Sequence, residues 1–204
     1  PLQQIIRTNL IYISKMQFAG GIHSNSYKSK LLNVTDQQLI SMLGSSQFYY
    51  IKDGNYISTT NGNTALWQLY VNSENKIYNK FNGSDTAFWN DASINQDEVL
   101  NVDIVQNAEN ILGYNCDELI FSCRSGLQKY YFSSVLGVQS SLFSRHKFGN
   151  WFEFISRSNA LPLKVVIENA QFTMESVATE IKQMPLEGSK FVLPVGTSVA
   201  KWPN

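Results

Sequence analysis

The chain has 204 residues, of which 43% are hydrophobic and 16% are charged, whereas an ordinary soluble domain carries about 25% charged residues. This length supports one substantial core, and all-β proteins of this size commonly form a single domain, so we expect residues 1–204 to fold as one domain. Sixteen basic residues balance sixteen acidic ones. No excess positive charge is therefore available to bind nucleic acid or an anionic membrane surface.

The sequence begins at Pro1 and contains neither a signal-peptide pattern nor a run of about 18 apolar residues that could cross a bilayer. We expect a processed, exported chain without a transmembrane segment, in the periplasm, associated with the outer membrane, or outside the cell. A lipid anchor on a residue upstream of this sequence stays open as a means of membrane attachment.

The first predicted elements are a strand and a short helix. Apolar and polar side chains alternate in the opening segment, which predicts a half-buried strand. Its apolar positions are Ile6, Leu10, Tyr12, Met16 and Phe18. Residues 35–43 then have the spacing of a helix, with a Thr35-Asp36 cap before it and Gly44 after it.

A β meander follows the helix. Strands are predicted at 47–60, 64–71 and 76–81, with Asn-rich turns between them. Residues 82–98 are rich in Asn and Asp, which predicts a surface loop carrying Phe88 and Trp89.

Strand patterns resume in the second half. They cover residues 101–106, 114–123, 127–132, 161–169 and 171–183, with one short helix near 150–156. Roughly nine strands without βαβ periodicity predict a mainly β protein built on a curved antiparallel sheet. A sheet of that size must curl or split into two layers.

Five short segments, taken in their order, resemble a family of secreted bacterial proteins that is similar to the periplasmic lipoprotein-sorting carriers, the LolA/LolB-like superfamily. They are LGYNC at 112–116, YYFS at 130–133, LPLK at 161–164, TEIK at 179–182 and FVLPVG at 191–196. The resemblance covers roughly residues 45–197. It implies an incomplete, half-open barrel with two or so short helices on its concave side, no catalytic residues and no cofactor. In the carriers, that concavity holds acyl chains.

From the predicted curved sheet and this resemblance we expect a non-catalytic protein of the cell envelope that holds an apolar chain, from a lipid or a lipoprotein, or a peptide. The candidate residues lining the concave face are Leu10, Tyr12, Trp67, Leu69, Leu163, Val165, Phe172 and Met174. Two alternatives remain open. One is an accessory subunit of an outer-membrane or secretion assembly that binds through sheet edges and loops, and the other is a carbohydrate-binding module.

The sequence offers few groups for a metal or a disulfide. Histidine occurs only at His23 and His146. Cys116 and Cys123 fall in one predicted strand, where seven residue-to-residue steps of about 3.3 Å separate their Cα atoms by roughly 23 Å. A disulfide requires about 4.4–6.8 Å, so we expect free, mostly buried thiols. The run from Asp91 to Asp97 alternates oxygen ligands like a calcium loop, but it lacks the glycine and the final glutamate of such loops. We therefore predict no metal site.

Catalysis has no recognisable motif either. The sequence lacks a Gly-x-Ser-x-Gly elbow. The acidic pairs at 97–98 and 117–118 are sequence neighbours, which point to opposite sides of an extended strand and cannot flank one glycosidic bond. The triplet DTA at 85–87 resembles a short O-glycosylation motif of some outer-membrane bacteria, which makes Thr86 a candidate glycosylation site on an exposed loop.

Overall fold

A computed structural model describes residues 20–203. In that range the protein is mainly β, with twelve strands in one sheet that does not close and two α-helices. The opening strand predicted from the sequence, with Leu10 and Tyr12, lies outside the described residues.

The first half of the described chain holds one helix and six strands. These are β1 (Gly20–Ser29), α1 (Asp36–Leu43), β2 (Ser46–Lys52), β3 (Asn55–Thr60), β4 (Ala65–Val71), β5 (Lys76–Phe81) and β6 (Thr86–Asp91). The second half adds β7 (Val99–Ile111), β8 (Tyr114–Cys123), β9 (Gly126–Gly137), α2 (Trp151–Ser158), β10 (Ala160–Asn169), β11 (Phe172–Lys182) and β12 (Ser198–Lys201). Three short 3₁₀ turns lie at Ser140–Phe143, Phe148–Asn150 and Gly188–Phe191.

The strands follow the order β12-β6-β5-β4-β3-β2-β1-β11-β10-β9-β8-β7. Every neighbouring pair is antiparallel except β12 and β6, which are parallel. Strand β1 lies between two meanders, β2–β6 and β7–β11. Its residue Gly21 pairs with Tyr49 of β2 on one side and with Ile181 of β11 on the other. The centre of the sheet is therefore built from segments far apart in the sequence.

Local sequence signals predict α1, β4 and β5 correctly. The Thr35 hydroxyl accepts a hydrogen bond from the Gln38 backbone N–H, and the Gln38 side-chain oxygen accepts one from the Thr35 backbone N–H. The helix ends before Gly44. The predicted strands at 64–71 and 76–81 are confirmed as β4 and β5. The segment predicted as one strand at 47–60 is two strands, because Asp53 and Gly54 both take positive φ and turn the chain.

The prediction of a surface loop over residues 82–98 is wrong in its middle. Residues 86–91 form β6, which pairs with β5 on one side and with β12 on the other. Strand β12 comes from residues about a hundred positions later in the sequence. The Asn- and Asp-rich composition described the turns around β6 but could not reveal this long-range pairing.

Helix α2 lies in the concavity of the sheet. The Trp151 ring is 6.0 Å from the Tyr56 ring on β3, and the Phe154 ring is 4.5 Å from the Tyr130 ring on β9. Four strands separate β3 from β9 in the sheet, so one short helix reaches both only because the sheet curls around it. Helix α1 lies elsewhere, where the backbone carbonyl of Ser41 accepts a hydrogen bond from the β3–β4 turn.

The main core fills the concave side and includes α2, while a smaller cluster covers part of the opposite, convex face. In the smaller cluster, Leu69 and Tyr78 pack with Phe191 from the C-terminal segment.

Cys116 and Cys123 are both free and buried, as predicted. Within residues 20–203 no helix combines the length and apolarity needed to span a membrane.

Candidate functional site

The structure brings together only part of the predicted lining set. Leu163 is 1% exposed in the main core, and Val165 and Met174 line a cavity beside it. Phe172 begins β11, opposite Ser29 of β1, and is not among the residues that line the cavity. Leu10 and Tyr12 lie outside the described residues.

Trp67 and Leu69 do not face the concavity. Both belong to the convex cluster, whereas their neighbour Tyr70 is 0% exposed in the main core. Successive side chains alternate between the faces of a strand. Alternation therefore puts Trp67 and Tyr70 on opposite faces of β4, but both faces of this strand are apolar, so the alternation by itself does not tell which face is concave.

A cavity of about 170 Å³ lies where β1, β2, β10 and β11 meet α2. Its apolar wall consists of Leu136, Leu161, Pro162, Val165, Met174 and Ile181. Its polar groups come from His23, Gln47, Tyr49, Trp151 and Ser176. None of these five polar residues is among the lining residues predicted from the sequence, because they are far apart in the chain and share no local motif.

Two glycines of β1 complete the wall. Gly20 has φ +135°, and a Cβ atom there would lie 1.7 Å from the backbone oxygen of Tyr49. A Cβ atom on Gly21 would lie 2.5 Å from the backbone oxygen of Glu180. No side chain fits at either position, because each Cβ atom would collide with the backbone of a neighbouring strand, so this part of the wall is bare backbone.

Two residues that line the cavity each carry a buried hydrogen-bond donor without a partner among the described residues. Tyr49 Oη and Trp151 Nε1 are both buried, and neither has a hydrogen-bond partner in the part of the chain that the structure describes. Burial raises the pKa of Tyr49 well above its usual value, so its hydroxyl keeps the proton that it can donate. A buried polar group without a partner costs about 1–3 kcal/mol, so a ligand acceptor that reached either donor would gain a hydrogen bond.

The other polar groups of the cavity are neutral. Ser176 Oγ lies 3.3 Å from His23 Nδ1, and burial lowers the pKa of His23 to about 4. The lining includes no Asp, Glu, Lys or Arg among the described residues. An ionised ligand would therefore be desolvated there without a counter-charge, which is strongly unfavourable. The cavity suits an uncharged molecule.

A larger cleft of about 730 Å³ lies next to the start of β7. It is lined mostly by polar residues, and its two arginines are already paired, Arg124 with Glu98 and Arg157 with Glu153. Because this cleft is polar and its charges are satisfied, the smaller apolar cavity is the better candidate site.

The remaining predicted sites lie elsewhere. Thr86 is a half-buried strand residue paired with Ser198, so the prediction that it lies on an exposed loop is wrong. In the calcium-like run, Asp91 Oδ1 accepts hydrogen bonds from the backbone and hydroxyl of Ser93, while Asn95 donates to Asn150. Residues 20–203 contain no group of three or more His, Cys, Asp or Glu placed to hold a metal ion.

The fold and the cavity define a class of structure: an open, curved antiparallel sheet wrapped around a short helix, with a small apolar cavity between them. No family model matches the sequence, and no curated protein matches it significantly. Among solved structures, an uncharacterized conserved protein from Thermus thermophilus is similar over 97% of this chain and 99% of that chain, at 8% identity and a TM-score of 0.48. This likeness is too weak to support a functional argument, so the resemblance to the lipoprotein-sorting carriers stays a prediction.

Proposed function

We propose that this protein is a non-catalytic binding protein that holds an uncharged, mostly apolar molecule in the cavity between α2 and the sheet. The observation that carries the proposal is the pair of unpartnered donors, Tyr49 Oη and Trp151 Nε1, on residues that line an uncharged apolar space. A ligand with an ester, amide or ketone oxygen would satisfy such donors while its apolar part filled the cavity.

The size of the cavity limits the buried part of the ligand. An engineered cavity of about 150 Å³ takes up benzene, and this cavity measures about 170 Å³. The end of an acyl chain or a single ring fills such a space. This ligand class agrees with the apolar chain expected from the sequence.

Methyl hexanoate is a suitable probe, because it combines a short apolar chain with one neutral acceptor. We expect a saturable shift of the Trp151 indole N–H resonance when the ester is titrated into ¹⁵N-labelled full-length protein. Sodium hexanoate should bind at least about tenfold more weakly, because its carboxylate would lie in the cavity without a cation.

Two substitutions test the site directly. Tyr49→Phe removes only the hydroxyl, so the ester should bind about tenfold more weakly while the affinity for hexane stays unchanged. Val165→Phe fills the cavity and should abolish binding, whereas Val135→Phe makes the same change at a position that is 59% exposed and serves as the matched control. Ester binding that is absent, or that survives Val165→Phe unchanged, would refute the proposal.

A further inference from the structure

Strand β7 ends the sheet and is the longest strand in the structure, with 13 residues. It pairs with β8 on one side. On its outer side, no strand among the described residues pairs with it. Residues 101–105 run in regular register, and the pairing shifts beyond Val105, where Asn107 takes a positive φ. A segment of five residues, about 17 Å long, therefore presents unpaired backbone N–H and C=O groups.

The core-facing side of this edge is apolar and incompletely covered. Val102 pairs with Phe121 and packs against the main core. Ile104 pairs with the buried Leu119 but is itself 58% exposed, and Leu100 is 63% exposed. An added strand with apolar side chains on this side would extend the core and cover both residues.

The regular segment of β7, residues 101–105, contains no lysine, arginine or proline, and shifts in the pairing with β8 interrupt the strand on both sides of it. Free edges are commonly blocked by lysine or proline, and β7 contains no Lys, Arg or Pro. Its charge is instead acidic. Asp103 and Glu109 are the only charged residues of β7, and Glu109 is ion-paired with Lys164 of β10, so Asp103 is the charge carried by the regular segment. Asp103 lies within the regular segment, on the side opposite Ile104. Its carboxylate accepts a hydrogen bond from the side-chain amide of Asn101. A strand that adds to this edge should therefore carry basic residues on the side away from the core.

One segment of this chain has that chemistry. Residues 1–19 contain Arg7 and Lys15 and no acidic residue. Ile6, Leu10, Tyr12, Met16 and Phe18 share one parity of this segment, and Arg7 and Lys15 share the other. As a strand, this segment would place its apolar side chains on the same side of the sheet as Ile104 and its basic side chains on the same side as Asp103.

We propose that the β7 edge binds a stretch of residues 5–18 of a second copy of this chain as an added strand. Binding within one chain would require a connection from β1 across β11, β10, β9 and β8, and connections that cross several strands are rare. A second copy needs no such crossing. Pairing of two β7 edges with each other is disfavoured, because it would bring acidic strands together. The contact is head-to-tail, so copies would join into chains or rings.

The first test is the oligomeric state of the full-length protein, measured by sedimentation velocity across about a hundredfold range of concentration. We expect oligomers that grow with concentration. Ile104→Lys protects the edge and should raise the concentration at half-assembly by at least about tenfold. Val135→Lys places the same charge at another exposed position and should leave assembly unchanged. A protein that stays monomeric throughout, or assembly that ignores Ile104→Lys, would overturn the proposal.

The second test reverses the charges. Asp103→Lys alone, and Arg7→Glu with Lys15→Glu, should each weaken assembly, and the three changes in one chain should restore it. A synthetic peptide of residues 4–18 should dissociate the oligomers, while a scrambled peptide of the same composition should not. If Asp103→Lys strengthens assembly and the changes at residues 7 and 15 have no effect, two β7 edges pair directly and the proposal is wrong.

Discussion

At the scale of single residues, the two histidines make folding sensitive to acid. His146 is 1% exposed, and its Nε2 lies 2.8 Å from the Tyr56 hydroxyl. Burial lowers its pKa from 6.5 to about 4, and His23 is lowered to about 4 for the same reason. Between these pH values the unfolded chain binds more protons than the folded one, so the free energy of unfolding falls as the pH falls from about 6.5 to about 4.

Replacement of His146 by phenylalanine tests this linkage. Each histidine contributes up to about 3 kcal/mol to the loss of stability across this pH range, so His146→Phe should show a clearly shallower pH dependence than the wild type. Urea unfolding followed at several pH values between neutral and acidic measures the difference. The variant loses the bond to Tyr56, so its stability at neutral pH is not the criterion. Parallel pH profiles for the two proteins would contradict the prediction.

At the scale of elements, α2 depends on its packing. A helix of eight residues is not stable alone in water. Phe154 is 0% exposed and stacks on Tyr130 at 4.5 Å, and its ring also lies 5.9 Å from those of Phe132 and Trp151. This aromatic group holds the helix in the concavity and thereby holds Trp151 at the candidate cavity.

Truncation of Phe154 should therefore be costly. We expect Phe154→Ala to lower the free energy of unfolding by about 3–5 kcal/mol, the usual cost of removing a buried aromatic ring. Phe48→Ala is the matched control, because Phe48 lies on β2 with 39% of its surface exposed, and it should cost less than about 1 kcal/mol. Chemical unfolding of the two variants checks the prediction, and similar losses would contradict it.

At the scale of the whole molecule, the two faces of the sheet are built on the same strands. Tyr70 and Leu69 are neighbours on β4, and Ile77 and Tyr78 are neighbours on β5, yet each pair divides between the main core and the convex cluster. Neither face can lose its packing without disturbing the strand that supports the other. Residues 20–203 should therefore unfold as one unit.

Cooperative unfolding can be measured with two tryptophans on opposite faces. A variant that keeps only Trp151 reports on the concave core, and one that keeps only Trp67 reports on the convex cluster. We expect the fluorescence midpoints of both variants to coincide with their circular dichroism midpoints. Separate midpoints within one variant would show independent folding units and would contradict the single domain expected from the sequence.

Features that depend on neighbouring residues can be predicted from the sequence. The capped helix α1, the strands β4 and β5, the turn between β10 and β11, and a mainly β sheet that must curl all follow from side-chain alternation, capping and turn residues. The free, buried state of both cysteines followed from their spacing in one strand.

Which strand face is concave, and where a cavity remains, depends instead on how distant segments pack together. Alternation places Trp67 and Tyr70 on opposite faces, but the position of α2 decides which of them joins the main core. Strand β6 required pairing with β12, far along the chain. The cavity joins Gly20, Tyr49, Trp151 and Ser176, and no local pattern brings such distant residues together, because their proximity results from the curling of the whole sheet.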